Sequence, residues 1–206
     1  ETSQEGLALD YATAWSYGRA ESWNLLIPDF MGGDSGRAFT RDGEVAKALK
    51  PYGLESFAEQ LPAYWGEQPY TAGPTYLGAA ALFLALLGLL LASGRNKWWI
   101  AAVSLLTLLL AWGHNFMGFT EFAFKYLPGY NKFRTVSMAL VVVEWTVPLL
   151  AALALMPLWR GEVPRRKLLR ALAWAGGITG GFCLLFAVAG SAIFDFGRTE
   201  AADFMS

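Results

Sequence analysis

Four long apolar stretches follow residue 73, and they constrain the fold of this chain more than any other feature. A bilayer core needs about 20 residues of helix, and backbone amides cannot stay unpaired in hydrocarbon. The first and third stretches match that length, the fourth allows tilt, and the second is short unless it extends through residues 113–124 or re-enters. The stretches cover residues 76–92, 98–112, 138–159 and 168–194. The sequence therefore predicts an all-α, polytopic membrane protein with about four transmembrane helices.

The region before these stretches has a different character. Residues 1–72 hold 5 Lys and Arg against 11 Asp and Glu, whereas the rest of the chain holds 11 against 6. Gly and Pro interrupt this region, and short helices are expected over residues 10–23, 43–50 and 54–61. We expect residues 1–72 to form an irregular, helical cap, residues 73–194 the membrane region, and residues 195–206 a tail.

Two basic turns predict the orientation in the membrane. Residues 160–170 contain five cations and one acid, and residues 93–97 contain two cations and no acid. Both turns are expected in the cytoplasm, which places the cap, the connection at residues 113–137 and the tail outside it. A cap on that side needs an upstream span or signal, so we expect this chain to be a piece of a longer polypeptide or a processed product.

The connection between the second and third stretches is rich in cations and aromatic residues. Arginine forks match phosphate oxygens, and aromatic faces suit sugar rings. The alternative is that these cations only contact lipid phosphates at helix ends. The candidate ligand-binding residues are Lys125, Tyr130, Asn131, Lys132 and Arg134, together with His114 at the end of the second stretch.

Other polar residues give weaker signals. Glu144 is the only formal charge in the third stretch, where a carboxylate is a candidate functional group, or reaches water, or pairs with a nearby cation. A lone His114 predicts no metal site, and Cys183 is expected to be a small buried residue. No nucleotide-binding or catalytic-triad motif is present. We therefore expect no metal, no cofactor and no nucleic-acid partner, and the catalytic residues stay unknown.

Four segments carry a family resemblance. They are DYATAWSYG at residues 10–18, LIPDFMGG at 26–33, YWGEQPYTAGP at 64–74 and PGYNKFRTVSM at 128–138. In this order they resemble the YfhO-like bacterial membrane proteins of the Bacteroidetes type. That family is similar to the C-type glycosyltransferases, which move a sugar from a polyprenyl-phosphate carrier on the outer face of the plasma membrane.

The resemblance implies that this chain is part of such a glycosyltransferase in the bacterial plasma membrane. Lys132 and Arg134 would hold the carrier phosphate, while Tyr130 and Asn131 would shape the sugar pocket. The catalytic acid of these enzymes lies near the N-terminus of a longer chain, so the resemblance assigns none here. The expected partners are membrane lipids and a polyprenyl-phosphate-linked sugar. The alternative is a non-catalytic subunit or scaffold that packs against other membrane subunits.

Overall fold

The computed structural model of the protein describes residues 7–193 except 38, 41–42 and 133. In that part the chain is helical without β-strands, which confirms the all-α prediction there. The predicted tail at residues 195–206 lies outside the described residues. The α-helices are α1 (Leu9–Ala12), α2 (Glu44–Leu49), α3 (Ala79–Leu91), α4 (Asn96–Ala111), α5 (Met117–Tyr126), α6 (Leu140–Trp159) and α7 (Arg165–Ile193). The 3₁₀ helices are Ala20–Leu25, Lys50–Tyr52, Glu55–Gln60, Gly113–Phe116, Tyr130–Lys132 and Val136–Ala139.

Two helices of the described chain are long and apolar enough to cross a membrane. They are the continuous helix Val136–Trp159, which includes α6, and Arg165–Gly190 within α7. The 13 residues of α3 reach only about 20 Å, which is less than the hydrocarbon thickness of a bilayer. Helix α4 continues into Gly113–Tyr126 after a bend of 113°, so this pair is a broken span or a re-entrant segment. The predicted number of four spans is therefore not confirmed.

The bend between α4 and α5 is formed at Gly113. Its φ of +49° is left-handed, and a side chain there would overlap the Ser16 hydroxyl and Val136. The backbone N–H of His114 donates to Ser16 Oγ at 2.9 Å, and the Thr120 hydroxyl donates to the Gly113 carbonyl at 2.6 Å. The turn is thus stabilised by a contact with the cap that is far away in sequence.

Helix α6 lies at the centre of the bundle. It packs on α3 along one flank and on α4 along another, while α7 packs chiefly on α3. Its buried residues Val143, Val147, Leu150 and Ala154 recur every three or four positions and so share one side of the helix. Gly88 of α3 meets this side so closely that a Cβ there would overlap the Leu150 carbonyl oxygen.

The cap packs on the end of the bundle that is opposite to the two basic turns. The N–H of Tyr17 donates to the Ala111 carbonyl at 2.8 Å, and the N–H of Gly78 donates to the Leu25 carbonyl at 3.1 Å. The ring of Trp23 lies 4.9 Å and 4.6 Å, between centroids, from two phenylalanines of α7, Phe182 and Phe186. These contacts connect the cap to α3, α4 and α7.

The helix predicted over residues 10–23 is wrong in its extent, because the chain leaves helical geometry between α1 and Ala20–Leu25. Thr13 Oγ1 donates to the Leu9 carbonyl at 2.9 Å, and Ser16 Oγ donates to the Thr13 carbonyl at 2.7 Å. Such local side-chain bonds compete with helix continuation. The other two short helices lie close to their predicted positions, at α2 and Glu55–Gln60.

The tight contact at Gly88 predicts that Gly88→Ala destabilises the protein by about 1–3 kcal/mol, since the added methyl must push α3 and α6 apart. The matched control is Gly180→Ala in α7, where no described atom lies within 4 Å of the new methyl. Thermal unfolding of both variants in detergent measures the difference. Equal melting temperatures for the two variants would contradict the close packing of α3 on α6.

Candidate functional site at the cap end of the bundle

An apolar cavity of about 380 Å³ lies among α3, α4, α6 and α7. Its end nearest the cap is lined by Ser22, Trp23, Leu25 and Leu26. The walls are formed by Leu82, Ala85, Leu86 and Leu89 of α3, Ala101, Ser104, Leu105 and Leu108 of α4, Val143, Val147 and Leu150 of α6, and Ile178, Thr179 and Phe182 of α7. The cavity thus lies beneath the cap and is enclosed by residues of α3, α4, α6 and α7.

The few polar groups of the cavity wall are already bonded inside the protein. Ser104 Oγ lies 2.6 Å from Thr146 Oγ1 and also donates to the Ile100 carbonyl at 2.9 Å. Thr179 Oγ1 donates to the Ala175 carbonyl at 2.8 Å. A polar ligand would lose its water here without gaining new partners, whereas a hydrocarbon chain loses nothing. The cavity is therefore suited to an apolar chain.

A cation, Arg19, is linked to the cap end of this cavity through Trp112 and Ser22. The guanidinium carbon of Arg19 is 6.0 Å from the centre of the Trp112 ring, and its Nη2 donates to the Asn115 carbonyl. The indole N–H of Trp112 donates to Ser22 Oγ at 2.9 Å. Sequence reasoning missed Arg19, and its one available signal was that it is among the few cations of an acidic region.

Two of the predicted ligand-binding residues are engaged in the fold. Tyr130 is buried, and its hydroxyl donates to the Leu110 carbonyl at 2.9 Å. Burial raises the pKa of Tyr130 to about 12. The carbonyl of Asn131 accepts a hydrogen bond from the N–H of Leu7 at 2.9 Å. Both residues therefore connect the segment before α6 to α4 and to the start of the described chain.

The predicted cations are exposed. The Nζ of Lys125 lies 5.3 Å from the centre of the Tyr126 ring, and the guanidinium carbon of Arg134 lies 5.7 Å from that of Tyr11. Lys132 is exposed as well. His114 is exposed, and its ring Nδ1 is 3.1 Å from the Thr13 carbonyl. Ligand contact by these residues stays a prediction.

Tyr130 and the cavity lie on different sides of α4. Ala101, Leu105 and Leu108 line the cavity, whereas Leu110, which binds Tyr130, follows Ala101 by nine residues, about two and a half helical turns. Because two and a half turns rotate the side-chain direction by about 180°, Leu110 lies on the opposite face of the helix. The structure therefore does not bring Tyr130 to the cavity.

Glu144 lies on the exposed side of α6, beside Trp145, which is 77% exposed. Among the described residues, no cation forms an ion pair with it, and no group of His, Cys, Asp and Glu has the arrangement of a metal site. Cys183 is half-buried in α7. The roles considered for Glu144 therefore stay predictions.

Glu21, the most deeply buried acid of the described residues, was also missed by sequence reasoning. Its side chain is 1% exposed, accepts a hydrogen bond from the N–H of Gly18 at 2.6 Å, and accepts another from the Tyr64 hydroxyl. Gly66 lies so close that a Cβ would overlap the carboxylate. Glu21 therefore joins the 3₁₀ helix Ala20–Leu25 to the segment that leads to α3.

Burial raises the pKa of the Glu21 carboxyl, and nearby Glu67 raises it further, while the hydrogen bonds from Tyr64 and Gly18 act in the opposite direction. Burial also raises the pKa values of Tyr64 and Tyr17, whose hydroxyl donates to the Glu21 carbonyl at 2.7 Å. Glu21 does not line the cavity. Its carboxyl therefore organises the cap and does not contact a cavity ligand.

Comparison with known proteins adds no identification. The chain matches no family model, no curated protein and no solved structure. The resemblance to YfhO-like proteins therefore rests on the four sequence segments alone. The features of the structure that bear on function are the apolar cavity, the polar cap that covers it, and Arg19 of the cap, which is linked to the cavity through Trp112 and Ser22.

The raised pKa of Glu21 predicts a stability that falls with rising pH. The folded protein keeps the proton where the unfolded chain, with a pKa near 4.5, has released it, so stability declines from about pH 4.5 upward through the folded pKa. Glu21→Gln should flatten this decline in melting temperature, and Glu55→Gln, at an exposed position, should preserve it. The same pH dependence in both variants would disprove the role of Glu21.

Proposed function

We propose that this chain is part of a glycosyltransferase-like membrane protein that takes a sugar from a polyprenyl-phosphate carrier at the outer face of the bacterial plasma membrane. The apolar cavity beneath a polar cap is the observation that carries the proposal. Its volume of about 380 Å³ is near the lower end of the range of roughly 300–1,000 Å³ that is usual for ligand pockets. That space accommodates a segment of one hydrocarbon chain.

The cavity contributes position more than affinity. A lipid tail in the bilayer is already surrounded by hydrocarbon, so its transfer into an apolar cavity removes little additional surface from water. The cavity instead places the tail so that the head group meets the cap. Holding a reacting group in one place converts an encounter in the membrane into a reaction within one complex.

The positions of the charges support the proposed orientation. The two basic turns, at residues 93–97 and 160–170, lie at the end of the bundle that is opposite to the cap. Positive turns favour the cytoplasmic side. The cap is then extracytoplasmic, and a fold of four membrane segments follows if α3 and the bent pair of α4 and α5 complete the two spanning helices.

A cavity-filling variant tests the proposal. Leu105 lines the cavity, and the neighbouring Leu106 does not, although both are exposed on α4, at 58% and 45%. In the full-length protein, Leu105→Trp should lower the copurifying polyprenyl phosphate and the rate of sugar transfer several-fold, because the indole occupies the place of the tail. Leu106→Trp should keep both. Lipid mass spectrometry and a transfer assay with native membranes give the two readouts.

The proposal fails if the wild-type protein carries no polyprenyl lipid and catalyses no sugar transfer. It also fails if Leu105→Trp retains both at the level of Leu106→Trp. Circular dichroism and detergent gel filtration of the two variants establish that each is folded, so that a loss in Leu105→Trp reports the cavity.

One observation favours the alternative function as a scaffold. Among the described residues, nothing outside the backbone of α7 itself lies within 4 Å of a Cβ built on Gly177, Gly180 or Gly181. Gly176 meets only the Phe83 ring, at 3.9 Å. Small residues on a membrane helix allow a second helix to approach closely. A stoichiometric subunit that is lost in Gly180→Leu, without bound polyprenyl phosphate, would support the scaffold.

A further inference from the structure

We propose that Arg19 binds the phosphate of a single-chain lipid phosphate, namely the polyprenyl phosphate, whose tail occupies the apolar cavity. This inference rests on the proposed function and names the phosphate site within it. It places that site at Arg19 instead of at Lys132 and Arg134, which the sequence favours.

The contacts of Arg19 hold its guanidinium without neutralising it. Among the described residues, it contacts the Trp112 ring, at 6.0 Å, and the Asn115 carbonyl. Asn115 is itself held, because its side-chain N–H donates to the Tyr17 carbonyl at 3.1 Å. Within the described residues, no carboxylate forms an ion pair with Arg19. A guanidinium has five N–H donors, so several remain for an anion.

The position of Arg19 follows from Trp112. Trp112 is four residues beyond Leu108 and eleven beyond Ala101, which is about three helical turns, so it lies on the cavity side of α4. Its indole N–H donates to the hydroxyl of Ser22, which lines the cap end of the cavity. Arg19, which contacts the Trp112 ring, is exposed to solvent. An anion bound there sits at the end of the cavity and in contact with water.

The guanidinium of Arg19 and the apolar cavity together favour one class of ligand. The guanidinium of Arg19 can donate two parallel hydrogen bonds to phosphate oxygens, and the adjoining apolar cavity accepts hydrocarbon. Inorganic phosphate would leave the cavity unused, and a diacyl phospholipid would place its second chain outside a cavity of about 380 Å³. A phosphate on one apolar chain satisfies both parts of the site.

The experiment compares a charged and a neutral ligand that share one tail. Farnesyl phosphate and farnesol are titrated against the purified full-length protein in phosphatidylcholine nanodiscs. Arg19→Gln should weaken binding of farnesyl phosphate roughly tenfold, the loss expected for a charge-assisted hydrogen bond, and leave farnesol binding unchanged. Leu105→Trp should weaken both ligands. Arg37→Gln should change neither, since Arg37 lies 3.4 Å from Asp29 and lines no part of this cavity.

Farnesol binding shows whether Arg19→Gln is folded, and Arg19→Lys, which keeps the charge but not the fork, should recover part of the affinity. Unchanged binding of farnesyl phosphate by Arg19→Gln would overturn the inference. So would equal competition by phosphatidic acid, or a loss that appears only in Lys132→Ala and Arg134→Ala. A phosphate-specific loss in Arg19→Gln, with no sugar transfer by the wild-type protein, would keep the lipid-phosphate site and reject the glycosyltransferase.

Discussion

The approach of α3 to α6 at backbone distance determines how the remaining helices are arranged. Gly88 presents no side chain to the Leu150 carbonyl, so the two helices meet at van der Waals contact between their main chains. Helix α4 packs on another flank of α6, and α3 and α4 meet little beyond their connecting turn. The space that remains between α3 and α4 is the cavity. Tight packing at one pair of helices therefore produces open space beside it.

The cap is stabilised by a different kind of interaction. Its described part has little regular structure, so its backbone groups need partners from side chains. The Glu21 carboxyl accepts from the Gly18 N–H, and the Tyr17 hydroxyl donates to a backbone carbonyl. Buried polar groups of this kind specify one arrangement when all are satisfied. The position of the neighbouring Arg19 depends on this network because residues 17–21 are part of it.

The apolar pattern of a single stretch of sequence predicted those helices whose position depends on that stretch alone. The apolar stretches at 138–159 and 168–194 became α6 and α7 with small shifts in their bounds. The helix of the first stretch begins only at Ala79, because Gly78, with φ of +98°, lies outside it, and its role as a span is not confirmed. The second stretch bends at Gly113 because of contacts with Ser16, which lies far away in the sequence and cannot be inferred from local composition.

In the candidate site, too, the residues whose roles depend on contacts distant in sequence could not be predicted. Tyr130 lies in a cationic, aromatic segment typical of a ligand-binding loop. Its burial against Leu110, however, depends on the path of the whole connection at residues 113–137. Arg19 and Glu21 acquire their roles from Asn115 and Tyr64, and no spacing rule links these pairs.

The bend of 113° also determines how deeply the protein would sit in a bilayer. Helix α5 runs across the end of the bundle, and its exposed rings Phe122 and Tyr126 lie in tilted contact, with centroids 5.0 Å apart. Aromatic rings of this kind prefer the boundary between head groups and hydrocarbon. In a bilayer, α5 would then lie along this boundary and fix the height of the bilayer surface on the protein.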